Sequence, residues 1–83
     1  MMYLAKVEVR LKPGHSDPEG ETVAEALKDL EYSVETVMVS KVYRVLLDAA
    51  SKEEATKRAD EMCRRLLANP TKDDYSFTIE EVR

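Results

Sequence analysis

Residues 3–11, Tyr3-Leu4-Ala5-Lys6-Val7-Glu8-Val9-Arg10-Leu11, set the architecture of this chain because their side chains alternate in character. Apolar side chains occupy the odd-numbered positions, whereas the charged side chains of Lys6, Glu8 and Arg10 point the other way. A period of two with one polar face is typical of an antiparallel strand whose other face is covered. The strand is predicted to end at Lys12-Pro13-Gly14, because proline removes a ladder donor and glycine permits a turn.

A helix is predicted to begin directly after that turn. Asp17 is suited to cap the helix by accepting a hydrogen bond from a free backbone N–H, and Pro18 is suited to the first helical position. The apolar residues that follow recur at helical spacing and predict one buried stripe. The stripe consists of Val23, Ala26, Leu27 and Leu30.

Two further strands are predicted at residues 34–39 and 42–47, which are rich in β-branched side chains. Ser40-Lys41 would form the turn between them. The second of these strands has apolar side chains on both of its faces, which is typical of a strand that is covered twice. In so short a chain, one of those faces is available to another subunit.

A second helix is predicted from Ser51 or Lys52 to Ala68, where Pro70 prevents its continuation. Its predicted buried stripe consists of Ala55, Ala59, Met62, Cys63, Leu66 and Leu67. A last strand is predicted at residues 75–82. The order β-α-β-β-α-β, with right-handed crossovers, predicts an α+β ferredoxin-like sandwich: one domain, residues 1–83, with a four-stranded antiparallel sheet and two helices on one face.

The size of the chain predicts that it associates with another chain. A domain of 83 residues has a thin margin of stability, because it buries only about 60% of the surface that its unfolded chain exposes. Small domains are usually reinforced by disulfides, a metal or a partner. With one cysteine and one histidine, an internal disulfide and a His-rich metal site are excluded, and oligomerisation remains.

Charge and hydropathy exclude two further classes of protein. The net charge of −4 and pI of about 5.0 argue against nucleic-acid binding, which requires basic surface to neutralise phosphates. No stretch approaches the roughly 20 apolar residues that span a bilayer, and Lys6 and Glu8 interrupt any signal-peptide core. A cytoplasmic protein without membrane contact is expected, and a single reduced thiol agrees with that location.

The residues that could carry chemistry do not form a credible active site. Cys63 lies on the apolar stripe of the second helix, where a free cysteine usually packs as a small hydrophobic residue. His15 is followed by Ser16 and Asp17, but three adjacent residues cannot fold onto one another as a proton relay. The sequence therefore predicts no catalytic, cofactor-binding or metal-binding residue in this chain.

Two loop-bordering stretches carry a family resemblance. The first contains Leu11-Lys12-Pro13-Gly14 followed by Asp17-Pro18-Glu19-Gly20, and the second contains Met62-Cys63, Leu66-Leu67-Ala68-Asn69-Pro70 and Asp74-Tyr75. In this order and spacing, the chain resembles the PurS family, the small subunit of phosphoribosylformylglycinamidine (FGAM) synthase. It departs from the family pattern at His15-Ser16, where apolar residues are usual, and at Ser40, where glycine is common.

The resemblance implies a non-catalytic subunit of an ATP- and glutamine-dependent ligase of purine biosynthesis. Such a subunit would join the large synthetase subunit, which uses ATP and Mg²⁺, to the glutaminase subunit, and would support ammonia transfer between them. The resemblance also implies a homodimer, with a tetramer as a further form. Five residues at the ends of regular elements are the candidates for docking the partners: Lys12, Asp17, Asn69, Asp74 and Tyr75.

A different class of function stays open on the residues alone. The same fold carries small ligand-sensing regulatory domains, which bind amino acids or nucleotides without transforming them. Such a module would be stabilised by its ligand, by about 2.7 kcal/mol at a concentration of 100 times Kd.

Overall fold

The computed structural model describes residues 1–82 and has α+β architecture. The elements are β1 (Met2–Leu11), α1 (Pro18–Asp29), β2 (Lys41–Asp48), α2 (Lys52–Met62) and β3 (Asp73–Val82). A π-helical turn, Cys63–Leu67, continues α2. The predicted single domain ends at Arg83, which lies outside the described residues.

The sheet is antiparallel, with β1 between β2 and β3. Val7 of β1 lies opposite Tyr43 of β2 and Phe77 of β3, so these side chains share one face of the sheet. Helix α2 packs on this face and buries the odd-numbered side chains of β1, as their alternation predicted. The buried core includes Tyr3, Ala5, Val7, Val9, Ala55, Ala59 and Cys63.

The prediction of a fourth strand at residues 34–39 is wrong. Within the described chain the sheet has three strands, and this segment runs along α1 instead of pairing with a strand. The backbone N–H of Val39 donates to the Asp17 carboxylate at 2.7 Å, and a side chain on Gly20 would overlap the carbonyl oxygen of Val37. The segment is therefore held beside α1 through its backbone, and Ser40-Lys41 is not a hairpin turn.

The prediction that both helices cover one face of the sheet is also wrong. Helix α2 packs on β1 and β3, whereas α1 has no extended contact with any strand. We call residues 17–40, which comprise α1 and the segment returning to β2, the arm. Because the arm projects from the sheet, the radius of gyration is 16.3 Å, compared with about 12 Å for a compact chain of this length.

The π-helical turn directs one of the two leucines of the predicted buried stripe out of the core. Ala68 N–H donates to the carbonyl oxygen of Cys63 at 2.9 Å, an i→i+5 bond that inserts one extra residue into the turn. Leu66, which a regular helix would bury, is consequently 83% exposed. Leu67, the other leucine of the predicted stripe, packs against the core.

Candidate docking surface

The two loop-bordering stretches, separated by 41 residues of sequence, meet at one end of the sheet. The backbone N–H of Lys12 donates to the carbonyl oxygen of Lys72 at 2.7 Å and ties the two loops together. Beside this contact lies an open crevice of about 440 Å³. Its lining includes Arg10, Asp17, Lys41, Lys72 and Asp73.

Asp17 is buried at the base of the arm, where its carboxylate joins the two ends of that segment. One oxygen accepts from Gly20 N–H at 2.9 Å and caps α1, as predicted. The other oxygen accepts from Val39 N–H at 2.7 Å. The hydrogen bonds from Val39 and Gly20 hold the pKa of Asp17 below its usual value, because they stabilise the carboxylate. Asp17 therefore shapes the crevice indirectly, by fixing the backbone at Gly20 and Val39.

Asn69 organises the turn that leads into β3. Its side-chain oxygen accepts from Thr71 N–H at 2.9 Å, and its own N–H donates to the Asp73 carboxylate at 2.8 Å. Its carbonyl oxygen also accepts from Asp73 N–H at 2.8 Å. These bonds fix the backbone beside Pro70, and the exposed Asn69 amide lies at the surface of the turn.

Lys12 and Asp74 differ from the other candidates because their side chains are not engaged. Neither side chain makes a hydrogen bond or ion pair with any residue in the range 1–82. Asp74 lies opposite Arg10 on the open face of the sheet, and Lys12 follows the end of the same strand. Both side chains are half-buried, and each offers a charged group at the end of the sheet where the crevice lies.

Tyr75 points to the other face of the sheet, towards α2. Its hydroxyl donates to Asp60 at 2.6 Å, and the second carboxylate oxygen of Asp60 accepts from Arg64 at 2.8 Å. The hydrogen bond from Tyr75, followed by that from Arg64, lowers the pKa of Asp60, and the same bond to Asp60 raises the pKa of Tyr75. Tyr75 thus ties β3 to α2 and is not brought together with the other four candidates.

The side chains that could support catalysis are not assembled. Cys63 is fully buried, and burial, followed by the nearby Asp60 charge, raises the pKa of its thiol above the usual value. The nucleophilic thiolate is therefore disfavoured at neutral pH. His15 is exposed in its loop, while the Asp17 carboxylate is committed to backbone N–H groups.

Metal-binding clusters and membrane-spanning helices are both missing from the described part of the chain. Across residues 1–82, no three side chains of His, Cys, Asp or Glu are grouped in a way that could hold a metal ion. None of the helices there has both the length and the apolar character needed to cross a membrane.

Sequence reasoning missed the positions or contacts of three residues. No local pattern indicates the bond between Asp60 and Tyr75, which lie fifteen positions apart. Leu66 was assigned to the core because periodicity cannot reveal a π-helical turn. Lys72, beside the crevice, had no signal beyond its place in a turn.

The fold and the docking surface define a small α+β protein in which two distant loops meet at one end of the sheet. The family model of PurS, phosphoribosylformylglycinamidine (FGAM) synthase, matches residues 4–81, and the chain therefore belongs to the PurS family. This membership favours the subunit over the ligand-sensing domain.

Individual relatives agree with this assignment. The chain is 43% identical over 79 residues to the FGAM synthase subunit PurS of Archaeoglobus fulgidus, covering 94% of this chain and 99% of that one. The solved structure of Thermus thermophilus PurS superposes with a TM-score of 0.91 at 37% identity over 100% of both chains. A chain in the structure of PurLQS from Thermotoga maritima has a TM-score of 0.87, with 96% and 99% of the two chains covered, and at 23% identity it shows the fold alone.

Proposed function

We propose that this chain is the non-catalytic small subunit of an FGAM synthase in purine biosynthesis. It joins the ATP-dependent synthetase subunit to the glutaminase subunit and supports ammonia transfer between them. ATP and Mg²⁺ are bound by the synthetase subunit, not by this chain. The unit that carries this role is the whole chain, residues 1–83, and it acts in the cytoplasm.

The observation that supports this proposal best is the meeting of the two family stretches at one end of the sheet. Lys12 and Lys72 join them directly, although the stretches are distant in sequence. Loops that are fixed in this way present a preformed surface, which lowers the entropy cost of binding a partner. The same surface lacks an activated nucleophile, so recognition is the chemistry that it supports.

The five docking candidates divide into two roles in this proposal. Lys12 and Asp74 contact the partner subunits directly, because neither charged group bonds to another residue in the range 1–82. Asp17, Asn69 and Tyr75 position the surface from within, through the bonds to Val39, Thr71 and Asp60.

The chain forms a homodimer, and two dimers associate into a tetramer when the other subunits are absent. Strand β2 supports this assembly, since Val42 and Leu46 are each 60% exposed on the face of the sheet that no helix covers. Exposed apolar side chains that lie together mark interaction surfaces.

Reconstitution of the three subunits tests the function. We expect synthesis of FGAM from glutamine to require this chain, while synthesis from added ammonium proceeds with the synthetase subunit alone, because ammonium bypasses the transfer. Equal glutamine-dependent rates with and without this chain would contradict the proposal. Equilibrium dialysis of the isolated chain against Mg²⁺-ATP checks the assignment of the nucleotide to the partner, and retention of nucleotide by this chain would contradict it.

Charge reversal at the crevice end tests the docking residues. Lys12→Glu and Asp74→Lys should each weaken binding of the partner subunits by about tenfold or more, since rim charges make modest but measurable contributions. Lys57→Glu, on the exposed side of α2, is the matched control and should bind normally. Wild-type affinity of the Lys12 and Asp74 variants would remove these residues from the interface.

A further inference from the structure

The crevice beside the contact of Lys12 with Lys72 is lined by distant parts of the chain. Strand β1 contributes its last residues and β2 its first, and the π-helical turn, the two ends of the arm and the turn before β3 complete the lining. The 2.7 Å bonds from Lys12 to Lys72 and from Val39 to Asp17 hold these parts together. The crevice is therefore formed within the protomer, and its volume of about 440 Å³ lies in the usual range of binding pockets.

Part of the lining of this crevice is apolar. Four of the lining residues have hydrocarbon side chains: Val9, Leu11, Val39 and Leu67. Apolar surface favours an occupant with an apolar part of its own, since removing both surfaces from water is favourable whereas a hydrated ion gains nothing from hydrocarbon. A segment of protein meets this requirement better than a free inorganic anion does.

Two of the three acidic side chains that line the crevice are engaged by backbone groups of the chain itself. The Asp17 carboxylate accepts from N–H groups at both ends of the arm, and the Asp73 carboxylate accepts from Asn69 N–H at 2.8 Å. The Glu19 carboxylate is the third, and it makes no hydrogen bond or ion pair within residues 1–82. Glu19 therefore supplies one unbalanced negative charge at the crevice.

The basic side chains that line the crevice are less engaged. Arg10 donates to Glu8 and to Ser76, each at 3.2 Å. The ammonium groups of Lys41 and Lys72 make no hydrogen bond or ion pair with any residue in the range 1–82, and both side chains are exposed. Two unbalanced positive charges thus accompany the single negative one, and an occupant that carries a carboxylate would balance them.

Charge over the whole chain is divided in the same sense. The arm, residues 17–40, carries seven acidic side chains and one basic side chain, whereas the rest of the chain, which we call the body, carries ten acidic and twelve basic side chains. The body is therefore net positive, although the whole chain has a net charge of −4. Such a division directs a partner with an acidic surface towards the body and away from the arm.

We propose that the crevice receives an acidic segment of a partner subunit, whose carboxylates pair with Lys41 and Lys72 and whose adjoining apolar side chain packs on the apolar lining. This contact rests on the joining function proposed above and specifies the chemistry of the partner at this surface. It makes Lys41 and Lys72 direct contacts, in addition to Lys12 and Asp74 at the same end of the sheet. A second copy of this chain, whose arm is acidic too, is the competing occupant.

Charge reversal of both lysines tests this contact. Because both side chains are exposed, the double variant Lys41→Glu/Lys72→Glu should remain folded by circular dichroism. Its Kd for the synthetase or the glutaminase subunit, measured by calorimetry with each subunit and with both, should rise about a hundredfold, since two attractive pairs become repulsive. Lys52→Glu/Lys57→Glu, at exposed positions of α2, makes the same change of net charge and is the control that should bind with wild-type Kd.

Cross-linking with a carbodiimide, which joins an amine to a carboxylate in direct contact, identifies the occupant. In the wild-type complex, cross-links should connect Lys41 or Lys72 to an aspartate or glutamate of a partner subunit. Wild-type affinity of the double variant, an equal loss of affinity in the control, or cross-links only between copies of this chain would each overturn the contact. If glutamine-dependent synthesis then still requires the chain, the joining function stands; a wild-type chain that binds neither subunit would overturn both.

Discussion

At the scale of single residues, Asp17 links the local geometry of the loop to that of the whole arm. It caps α1 through Gly20 and holds the far end of the arm through Val39. The cap was predictable from the sequence, since aspartate before proline is a helix-start pattern. The bond to Val39 was not, because it joins residues 22 positions apart and depends on the arm's path.

Replacement of Asp17 by asparagine should make stability less dependent on pH. The pKa of Asp17 is lower in the folded chain than in the unfolded chain, so its stabilisation is present above the unfolded value near 3.8 and is lost as pH falls through the lowered value. The wild type should melt about 5 °C above Asp17→Asn at pH 7, and the gap should narrow below pH 4. Thermal melts from pH 2 to 7 check this.

Asp29→Asn is the control for the effect of removing a carboxylate, because Asp29 is exposed at the other end of α1. Its melting point should stay within about 1 °C of the wild type across the same range. A difference in melting temperature between the wild type and Asp17→Asn that does not change with pH would contradict the assigned role of the charge.

Glu31 adopts a backbone conformation that suits glycine better. Its φ of +71° lies in the left-handed region, directly after α1 ends at Asp29 and Leu30. A side chain costs about 1–2 kcal/mol there, and glycine is the usual residue at this position. Glu31→Gly should therefore stabilise the chain by about 0.5–1 kcal/mol in urea unfolding, after allowance for the greater freedom of glycine in the unfolded state.

Glu31→Ala removes the same charge but keeps a β-carbon. It should give no comparable gain, which separates backbone strain from the effect of a negative charge near the helix C-terminus. Equal stabilisation by alanine and glycine would show that the charge, not the backbone, is responsible.

At the scale of elements, the alternating strand and the caps of the helices were accessible from the sequence, whereas the ends of α2 and the path after α1 were not. The alternation in β1 indicates its buried face directly, and the structure confirms it. Residues 34–39 look like a strand because β-branched side chains suit any extended, half-buried backbone. Leu66 was misplaced because a constant helical period was assumed across a π-helical turn.

Ser51 should contribute measurably to the stability of α2. Its hydroxyl oxygen accepts from Glu54 N–H at 3.1 Å, and the Glu54 carboxylate accepts from Ala50 N–H at 3.2 Å, so two free donors at the helix start are satisfied. Ser51→Ala should cost about 1 kcal/mol in the free energy of unfolding, measured with urea. Ser33→Ala, at an exposed position after α1, is the control and should change this free energy by less than about 0.5 kcal/mol.

At the scale of the whole molecule, a sequence of this length indicates that a partner is needed but not how it binds. The small core and the twice-covered strand both indicated association. The local patterns nevertheless placed α1 on its own sheet, because an apolar stripe such as Val23, Ala26 and Leu30 has the same sequence whether or not its own chain provides a core for it. Chain connectivity, not side-chain character, separates these two arrangements.

The final prediction is that the stability of the chain depends on its concentration. In the proposed homodimer, unfolding releases two chains, and dilution favours the unfolded state by mass action. A hundredfold increase in protein concentration should raise the melting temperature by roughly 5–10 °C. A wild-type melting temperature that is constant over the same range would mean that the protomer is stable with its arm uncovered.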